Sequence, residues 1–397
     1  MTSRDSTLKT KKIHADYGLI FLLLGLSAIS LTAIYAALPL LPYWRSGIDL
    51  IVKQSIWIVI AIALLIGLIW GGVDRLFTGA VVMYWVLMAL LVLLLVDKYA
   101  LDLPLIAPVN GTTAWIALPG LGTIQPSEFM KVILMIMSAN IIHRHNEEKR
   151  TMTYADDLRL FAKILAIAVP PLVLIVAQPD TGIPIVIVAG LAIMLGISGI
   201  RREWILYSLI AGVSAIALFL FLFYNFESVL LNIVGASYRL NRIYGWLRTE
   251  SYISSYGLQL YQSLLAVGSA GWWGHGLQSV VVNVIEPQND FIFAVFAQNF
   301  GFVGASVLLL LQLLLDLKIA NIALKYKKRR ERYLVAGVLG MLLVQQIQNM
   351  GMIIGLTPIT GITLPFVSAG GSSLLSFVPA LAILFVMSHR IRSKRTY

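Results

Sequence analysis

The sequence contains no cysteine and very little charge. Asp, Glu, Lys and Arg make up only 12% of its 397 residues, about half the share found in an ordinary soluble chain. The absence of cysteine excludes disulfides, thiolate catalysis and thiolate metal sites. Acids are the scarcer charged type, since 19 Asp and Glu face 30 Lys and Arg, which gives a formal net charge of +11.

Apolar residues fill the space that charge leaves. They make up 59% of the chain, and they recur in runs of about 18 or more residues, each long enough to cross a bilayer as a helix. The sequence therefore predicts an all-α polytopic membrane protein with one integral membrane domain over 1–397. We expect ten transmembrane helices, near 17–41, 51–72, 77–97, 127–143, 159–177, 182–199, 204–224, 291–316, 333–356 and 368–388.

Basic residues predict the orientation of these helices. An even number of spans places both termini on one side. With that side cytoplasmic, 23 of the 30 Lys and Arg fall in inner segments, as the positive-inside rule requires. The basic run KYKKRRER at 325–332 then becomes a cytoplasmic loop beside anionic lipid, an interpretation that we prefer to nucleic-acid binding.

Four predicted outer segments differ from plain connectors. They are 98–126, the short QPDTG at 178–182, a large extracellular loop between helices 7 and 8 at 225–290, and 357–367. A loop as long as 225–290 is expected to carry structure or function of its own. Within it, the glycine-rich stretch 261–276 fits a re-entrant or surface-lying segment better than a span.

Charged residues at the ends of spans are the first candidates for a site. Ser127 is interpreted as an N-cap, with Glu128 in the first helical turn and Lys131 on the same face. This pair is either a structural ion pair or a contact for a polar or anionic ligand. Asp180, just before the sixth span, fits an N-cap.

The large loop and the last outer segment supply further candidates. Arg239 and Arg242 share a face if their segment is helical, and arginine forks suit phosphate oxygens, although snorkelling at the interface explains them as well. Asp290 is either a helix cap or a working acid at the membrane surface. The stretch SAGGSS near 370 suits helix capping or interhelical hydrogen bonds, and no metal-ligating constellation is evident.

Six segments in order resemble one family of bacterial membrane proteins. They are NGTTAWIALPGLGTIQPSEFMK at 110–131, QPDTG at 178–182, YRLNRIYGWL at 238–247, YQSLLAVGSAGWWGHG at 261–276, EPQNDFIFAVFAQNFG at 286–301 and NMGMIIGLTPITGITLPFVSAGGSS at 349–373. Together with the ten-span plan they resemble the SEDS family (shape, elongation, division and sporulation), which includes RodA and FtsW. The resemblance covers nearly the whole chain, and the short tails and modest size favour a RodA-like elongation member.

The resemblance implies a reaction and a set of site residues. Family members polymerise peptidoglycan from lipid II, the undecaprenyl-pyrophosphate-linked disaccharide-pentapeptide, at the outer face of the cytoplasmic membrane. By motif, Asp290 matches the catalytic acid, and eight residues match substrate-binding positions: Glu128, Lys131, Arg239, Arg242, Ser368, Gly370, Gly371 and Ser372. Implied partners are a class B penicillin-binding protein (a transpeptidase) and other elongasome or divisome membrane proteins, with no nucleic acid. A divalent cation, Mg²⁺ or Mn²⁺, is an optional aid to the leaving group.

The sequence departs from the family pattern at several positions. Gln298 replaces a usual Glu, Ala114 precedes Trp115 where basic residues are common, Ala369 replaces a Tyr and Thr363 replaces a proline. These departures bear on fine substrate contacts and raise the chance of a specialised or weakly active member. Two alternatives to an enzyme stay open, a lipid II flippase and a non-catalytic scaffold of a cell-wall complex.

Overall fold

A computed structural model describes residues 15–42, 47–100, 103–106, 113–148, 153–229 and 238–393, with only the backbone described at 99, 100, 238 and 239. These ranges contain twelve α-helices and one small β-hairpin. The elements are α1 Tyr17–Ala37, α2 Gly47–Gly71, α3 Asp74–Ala100, β1 Ile116–Leu118, β2 Gly122–Ile124, α4 Pro126–Glu148, α5 Tyr154–Ala177, α6 Gly182–Gly196, α7 Arg202–Asn225, α8 Tyr238–Leu247, α9 Leu258–Ser269, α10 Ile292–Lys325, α11 Arg329–Ile353 and α12 Gly371–Ser393.

Ten of these helices correspond to the ten predicted spans. Eight of the ten are long and apolar enough to cross a membrane. The other two are α4 and α6, and α6 has only 15 residues, so its rise of roughly 22 Å is shorter than a hydrocarbon core of about 30 Å. The prediction of an all-α, multi-pass membrane protein is confirmed.

The ends of the eighth and ninth helices differ from the prediction. Helix α10 continues to Lys325 and α11 begins at Arg329, so only 326–328 lie between the two helices. The interpretation of 325–332 as a loop is therefore wrong. Long basic side chains extend from a helix towards headgroups without needing a loop, which is why the charge pattern misplaced these boundaries. Asp316, the last residue of the predicted eighth span, is in the structure a buried residue inside α10.

The core lies where the late helices meet the middle ones. Helix α11 packs against α4, α6 and α10, while α12 packs against α2 and α4, and α1 packs against α10. Helix α7 lies apart from this bundle, since none of its apolar span is buried and Phe223 near its C-terminal end is its one buried residue. The chemistry that follows depends on the packed helices, whose ends are fixed by this core.

The large loop between α7 and α10 carries structure of its own, as predicted. It contains α8, a 3₁₀ turn at Thr249–Tyr252 and α9. Helix α9 packs against α10 and α11, and the residues after it follow α10 closely. This arrangement agrees with a re-entrant or surface-lying segment at 261–276.

A break in α10 accommodates that segment. Gly301 has a φ of 65° and a ψ of −164°, which interrupts the helix, and the amides of Phe302 and Val303 are free to bond the carbonyls of Gly271 and Trp272. A side chain on Gly301 would collide with the backbone of Gly274. Glycine is required here because both the φ angle and the close backbone approach exclude a Cβ.

The small hairpin was not predicted from the sequence. Strands β1 and β2 pair antiparallel, with Ile116 opposite Ile124 and Leu118 opposite Gly122. The hairpin leads directly into α4, so it fixes the chain at the N-terminal end of that helix. Strands of three residues are too short to show a readable alternation of polar and apolar residues.

Candidate active site

Three hydrogen bonds hold the backbone at residues 288–290, just before α10. The carbonyl of Gln288 accepts from the amide of Ala369 at 2.9 Å. The carbonyl of Asn289 accepts from the Ser368 hydroxyl at 2.7 Å, and that of Asp290 accepts from the Asn349 side-chain amide at 2.8 Å. Three consecutive peptide groups are therefore fixed by residues distant in the sequence.

The carboxyl group of Asp290 is left available by this arrangement. The side chain is partly exposed, and none of the described residues donates a hydrogen bond to it. Gly361, with a φ of 74°, approaches so closely that a Cβ there would lie 3.3 Å from Asp290 Oδ2. Burial raises the pKa of Asp290 to about 6, with Glu286 and Asp180 raising it further and Arg242 opposing them.

Asp290 does not cap α10. The N-cap residue is Phe291, without a capping side-chain bond, so the interpretation of Asp290 as a helix cap is wrong. A capping carboxylate would have its oxygens committed to helix amides. The Asp290 carboxyl has no such commitment and is open to an external partner.

Helix α8 brings one arginine to this carboxyl. Arg242 donates from Nη1 to the carbonyl of Ile359 at 3.2 Å, and its charge acts on Asp290. Arg239 and Arg242 both lie in this helix, which is the condition under which the sequence predicted that they share a face. The Arg239 side chain, however, lies outside the described residues. Of the predicted basic pair, Arg242 is therefore located at the site.

Asp180 is a second carboxyl at the same end of the bundle. Its Oδ1 accepts from the amides of Gly182 at 3.0 Å and Ile183 at 3.2 Å, so it caps the start of α6 from one residue before the N-cap position. The N-cap residue itself is Thr181, so the prediction that Asp180 is the N-cap is wrong by one residue. Its Oδ2 accepts from Gln125 Nε2 at 2.8 Å. Burial raises the pKa of Asp180 to about 6, and the nearby Glu128 carboxylate adds to the rise although the capping bonds oppose it.

Glu128 and Lys131 form a buried ion pair. The ammonium of Lys131 lies 2.5 Å from Glu128 Oε2, and it also contacts Gln345 Oε1 at 3.5 Å and the ring of Phe377. The prediction that the two share one face is confirmed. Ser127 is not an N-cap, because α4 starts one residue earlier and its hydroxyl has no partner among the described residues.

Two residues of the last motif, Ser368 and Gly370, form hydrogen bonds that position the backbone. Ser368 is buried, and its hydroxyl also accepts from the amide of Leu364 at 2.8 Å, so both of its bonds are directed to main chain. Gly370 donates its amide to Gln54 Oε1 at 3.3 Å. Of these two predicted substrate-binding residues, Ser368 therefore holds the Asp290 segment, whereas Gly370 is bonded to α2.

The other two residues of that motif are Gly371, which packs against α2, and Ser372, which bonds α12 to the hairpin region. A Cβ on Gly371 would collide with the indole of Trp57. The hydroxyl of Ser372 donates to the carbonyl of Thr123 at 3.2 Å and accepts from the amide of Gln125 at 3.0 Å. Ser372 therefore acts on Asp180 through Gln125.

The departures from the family pattern have structural consequences of different size. Gln298 is fully buried and bonds the 271–282 segment, since Oε1 accepts from the amide of Val282 at 3.1 Å and Nε2 donates to the carbonyl of Ser279 at 3.2 Å. Ala369 contributes its backbone amide, which any side chain would retain. Thr363 is bonded to Ser373 Oγ at 3.4 Å.

The described residues do not form a dedicated metal site. Among them, no group of three or more His, Asp or Glu side chains is close enough to hold an ion. Glu286 acts electrostatically on Asp290, but its Oε2 already accepts from the side-chain amides of Gln288 and Asn289, at 2.9 and 3.1 Å. We therefore derive no chemical step through a metal.

Four participants were missed as site residues by the sequence analysis. Gln125 and Asn349 each carry a buried amide that holds a segment of the site, Asp180 was read only as a cap, and Glu286 was read only as part of a motif. A signal existed for each, since all lie inside the quoted motifs. Motif membership alone does not separate a residue that holds the backbone from one that faces a ligand.

Comparisons with known proteins agree with this architecture. A family model described as "Cell cycle protein", built for FtsW, RodA and SpoVE, matches residues 17–393. Stage V sporulation protein E of Bacillus subtilis (strain 168) is 31% identical over 393 residues, covering 97% of this chain and 100% of that protein. Peptidoglycan glycosyltransferase MrdB of Escherichia coli (strain K12) is 29% identical over 385 residues, covering 96% and 95%.

A solved structure is also similar over almost the whole length. The chain comes from a peptidoglycan synthase complex described as coordinating polymerization and crosslinking, and it has a TM-score of 0.68, 28% identity and coverage of 95% of this chain and 98% of that one. The region that the family model matches, residues 17–393, contains every candidate residue discussed above. On the family model and this full-length similarity, the chain belongs to the FtsW, RodA and SpoVE family of cell cycle proteins.

Proposed function

We propose that this protein is a peptidoglycan glycosyltransferase that polymerises lipid II into glycan strands at the outer face of the bacterial cytoplasmic membrane. The observation that carries the proposal is the Asp290 carboxyl, partly exposed, held by a fixed backbone and accompanied by Arg242. The name of its relative MrdB supports the reaction class.

Asp290 is the general base in this proposal. Its carboxylate accepts the proton of the acceptor sugar's 4-hydroxyl as that oxygen forms a bond to the anomeric carbon of the donor. The bond from that carbon to the lipid pyrophosphate breaks, and the pyrophosphate leaves with the electron pair. A pKa of about 6 suits the role, because the group is mostly ionised at neutral pH yet still basic.

The cationic groups serve the leaving group. Arg242, together with Arg239 by family resemblance, stabilises the negative charge that builds on the pyrophosphate. The ion pair of Glu128 and Lys131 contributes a buried dipole at the end of the helix bundle that carries Asp290. Ser368, Gly370, Gly371 and Ser372 act by holding the backbone on which the donor and acceptor are positioned.

Topology and partners follow from the same proposal. Both termini are cytoplasmic, which places the ends of α4, α6, α10 and α12 that carry the site at the outer surface. A class B penicillin-binding protein is the expected transpeptidase partner, supported by the synthase complex in which a similar chain was solved. An elongation role, with Mg²⁺ or Mn²⁺ as an optional aid to the leaving group, follows from the family resemblance alone.

A reconstitution tests the reaction. The purified full chain, with and without the transpeptidase, is supplied with labelled lipid II, and glycan polymer is measured. We expect polymer from the unmodified protein and none from Asp290→Ala. Asp97→Asn is the matched control, because the Asp97 carboxylate accepts a local bond from the amide of Leu103 at 2.8 Å and is not among the groups that shift the pKa of Asp290 or Asp180, and it should polymerise normally.

Three outcomes would overturn the proposal. Normal polymerisation by a folded Asp290→Ala protein would remove the assigned base. Movement of lipid II between leaflets without polymer would favour the flippase instead. Absence of both activities in a folded protein that still binds the transpeptidase would favour the scaffold.

A further inference from the structure

The side chain of Asn349 joins two outer segments that the reaction must keep together. It lies in α11, has no exposed surface, and donates both hydrogens of its amide. One hydrogen bonds the carbonyl of Asp290 at 2.8 Å and the other bonds the carbonyl of Ile362 at 2.7 Å. A single amide therefore connects the Asp290 segment to the 357–370 segment.

We propose that Asn349 is a positioning residue that fixes the Asp290 carboxyl relative to the Gly361 backbone and the Arg242 guanidinium. This inference rests on the proposed glycosyltransfer and deepens it, because it concerns the same site. Arg242 is bonded to Ile359 in the 357–370 segment. The backbone of the base and the segment that binds the leaving-group cation are thus both bonded to α11 by the Asn349 amide, which acts beside the direct bonds from Ser368 and Ala369 to the Asp290 segment.

No other residue type of similar size can make this contact. The two acceptors are backbone carbonyls, so the bridging group must supply two donors from one planar head, which among residues of this volume only asparagine does. Aspartate would place acceptors against both carbonyls, and leucine would leave both carbonyls unpaired in an apolar setting.

The same helix connects the bridge to the buried ion pair. Gln345, one turn before Asn349, contacts the ammonium of Lys131 at 3.5 Å. Gln348 donates to the carbonyl of Pro358 at 2.8 Å, which adds a second bond to the 357–370 segment. Helix α11 therefore presents a row of amides to the site, and Asn349 is the member that reaches the Asp290 segment.

The first test measures kinetics. In the full-length protein, Asn349→Leu and Asn349→Asp are compared with the unmodified protein in the lipid II assay over a range of substrate concentrations. A displaced base costs about 10²-fold in rate when it moves by about 1 Å, so we expect kcat to fall by about that factor while KM changes little. Asn140→Leu is the matched control, since Asn140 is a partly buried amide with one bond, to Phe77 in α3.

The second test does not depend on glycosyltransfer, so a failure of the proposed function and a failure of this inference are distinguishable. The chain has no cysteine, so an Asp290→Cys thiol is a unique label. We expect a membrane-impermeant maleimide to alkylate that thiol several-fold faster when Asn349→Leu or Asn349→Asp is added. Asn140→Leu in the same background should leave the rate unchanged.

Defined results overturn the inference. Unchanged kcat in a folded Asn349→Leu protein would show that the amide does not position the base. An unchanged alkylation rate in both Asn349 variants would show that it does not hold the Asp290 segment, even if the protein polymerises nothing. If Asn349→Leu fails to fold, Asn349→Asp carries both measurements.

Discussion

Lys131 has no exposed surface and forms a 2.5 Å ion pair with Glu128, one helical turn before it. The ammonium has two further contacts, with the Gln345 side chain and the face of the Phe377 ring. A charge buried this completely depends on its partner, because no water is present to replace a lost carboxylate.

Removing one member of this pair should destabilise the protein strongly. We expect Glu128→Gln or Lys131→Met to lower the free energy of unfolding by about 3–5 kcal/mol, since each leaves the other charge unpaired. The double variant should lose less than the sum of the two. Denaturant unfolding in detergent measures all three, and additive losses would contradict the coupling.

Replacing Gly371 should introduce a collision at the start of α12. The Cβ of Gly371→Ala would meet the Trp57 indole, and overpacking of this kind costs about 1–3 kcal/mol. Gly212→Ala is the matched control, because nothing lies within 4 Å of the position its Cβ would take. That variant should be neutral or slightly more stable, and equal losses in both variants would argue against the contact.

Acid should stop the reaction through Asp290. Because its pKa is about 6, the initial rate should fall as the pH drops through that value and the base becomes protonated. Arg242→Gln should move this fall to higher pH, since the arginine opposes the rise in pKa. A rate profile that is flat from about pH 5 to about pH 7, one unit either side of that pKa, would contradict the assignment.

The Asp290 carboxyl should also lower the stability of the folded protein at high pH. Its pKa in the folded protein lies above the ordinary value for an aspartate, so its contribution to stability is present at low pH and is lost as the pH rises through about 6. Asp290→Asn should therefore be more stable than the unmodified protein at pH near 8, by on the order of 2 kcal/mol, and inactive. Thermal unfolding at two pH values tests the sign.

Replacing Gln298 by glutamate, the usual family residue, should destabilise the 271–282 segment that Gln298 bonds. In Gln298→Glu the donor to the Ser279 carbonyl is lost and an acid faces a carbonyl in a fully buried position. We expect a loss of about 1–3 kcal/mol and faster hydrogen exchange at 271–282. Unchanged exchange there would show that the loop does not depend on Gln298.

Much of the architecture could be read from the sequence. Long apolar runs determine ten helices because each must satisfy its own backbone in lipid, and length alone locates most of them within a few residues. The Glu128 and Lys131 pair follows from helical spacing, and the capping role of Asp180 follows from its position before α6. Family motifs placed Asp290 and Arg242 at one site.

Other features were decided only by tertiary contacts. The interruption of α10 at Gly301 exists because a distant segment bonds the freed backbone, which no local pattern reveals. Ser368 appeared to be a ligand contact but is bonded to Asn289, because nothing in a motif states which way a hydroxyl points. Asn349 gave no signal as a bridge, since its two acceptors are carbonyls far apart in the chain.

The sequence by itself determined that this protein is a multi-pass helical membrane protein and which segments carry its chemistry, because hydrophobic length and helical spacing are local properties. The tertiary structure decided that the Asp290 carboxyl is open rather than capping α10, and that Asn349 and Ser368 hold its backbone. Those facts depend on which donors and acceptors meet after the helices pack, and only the packed fold specifies them.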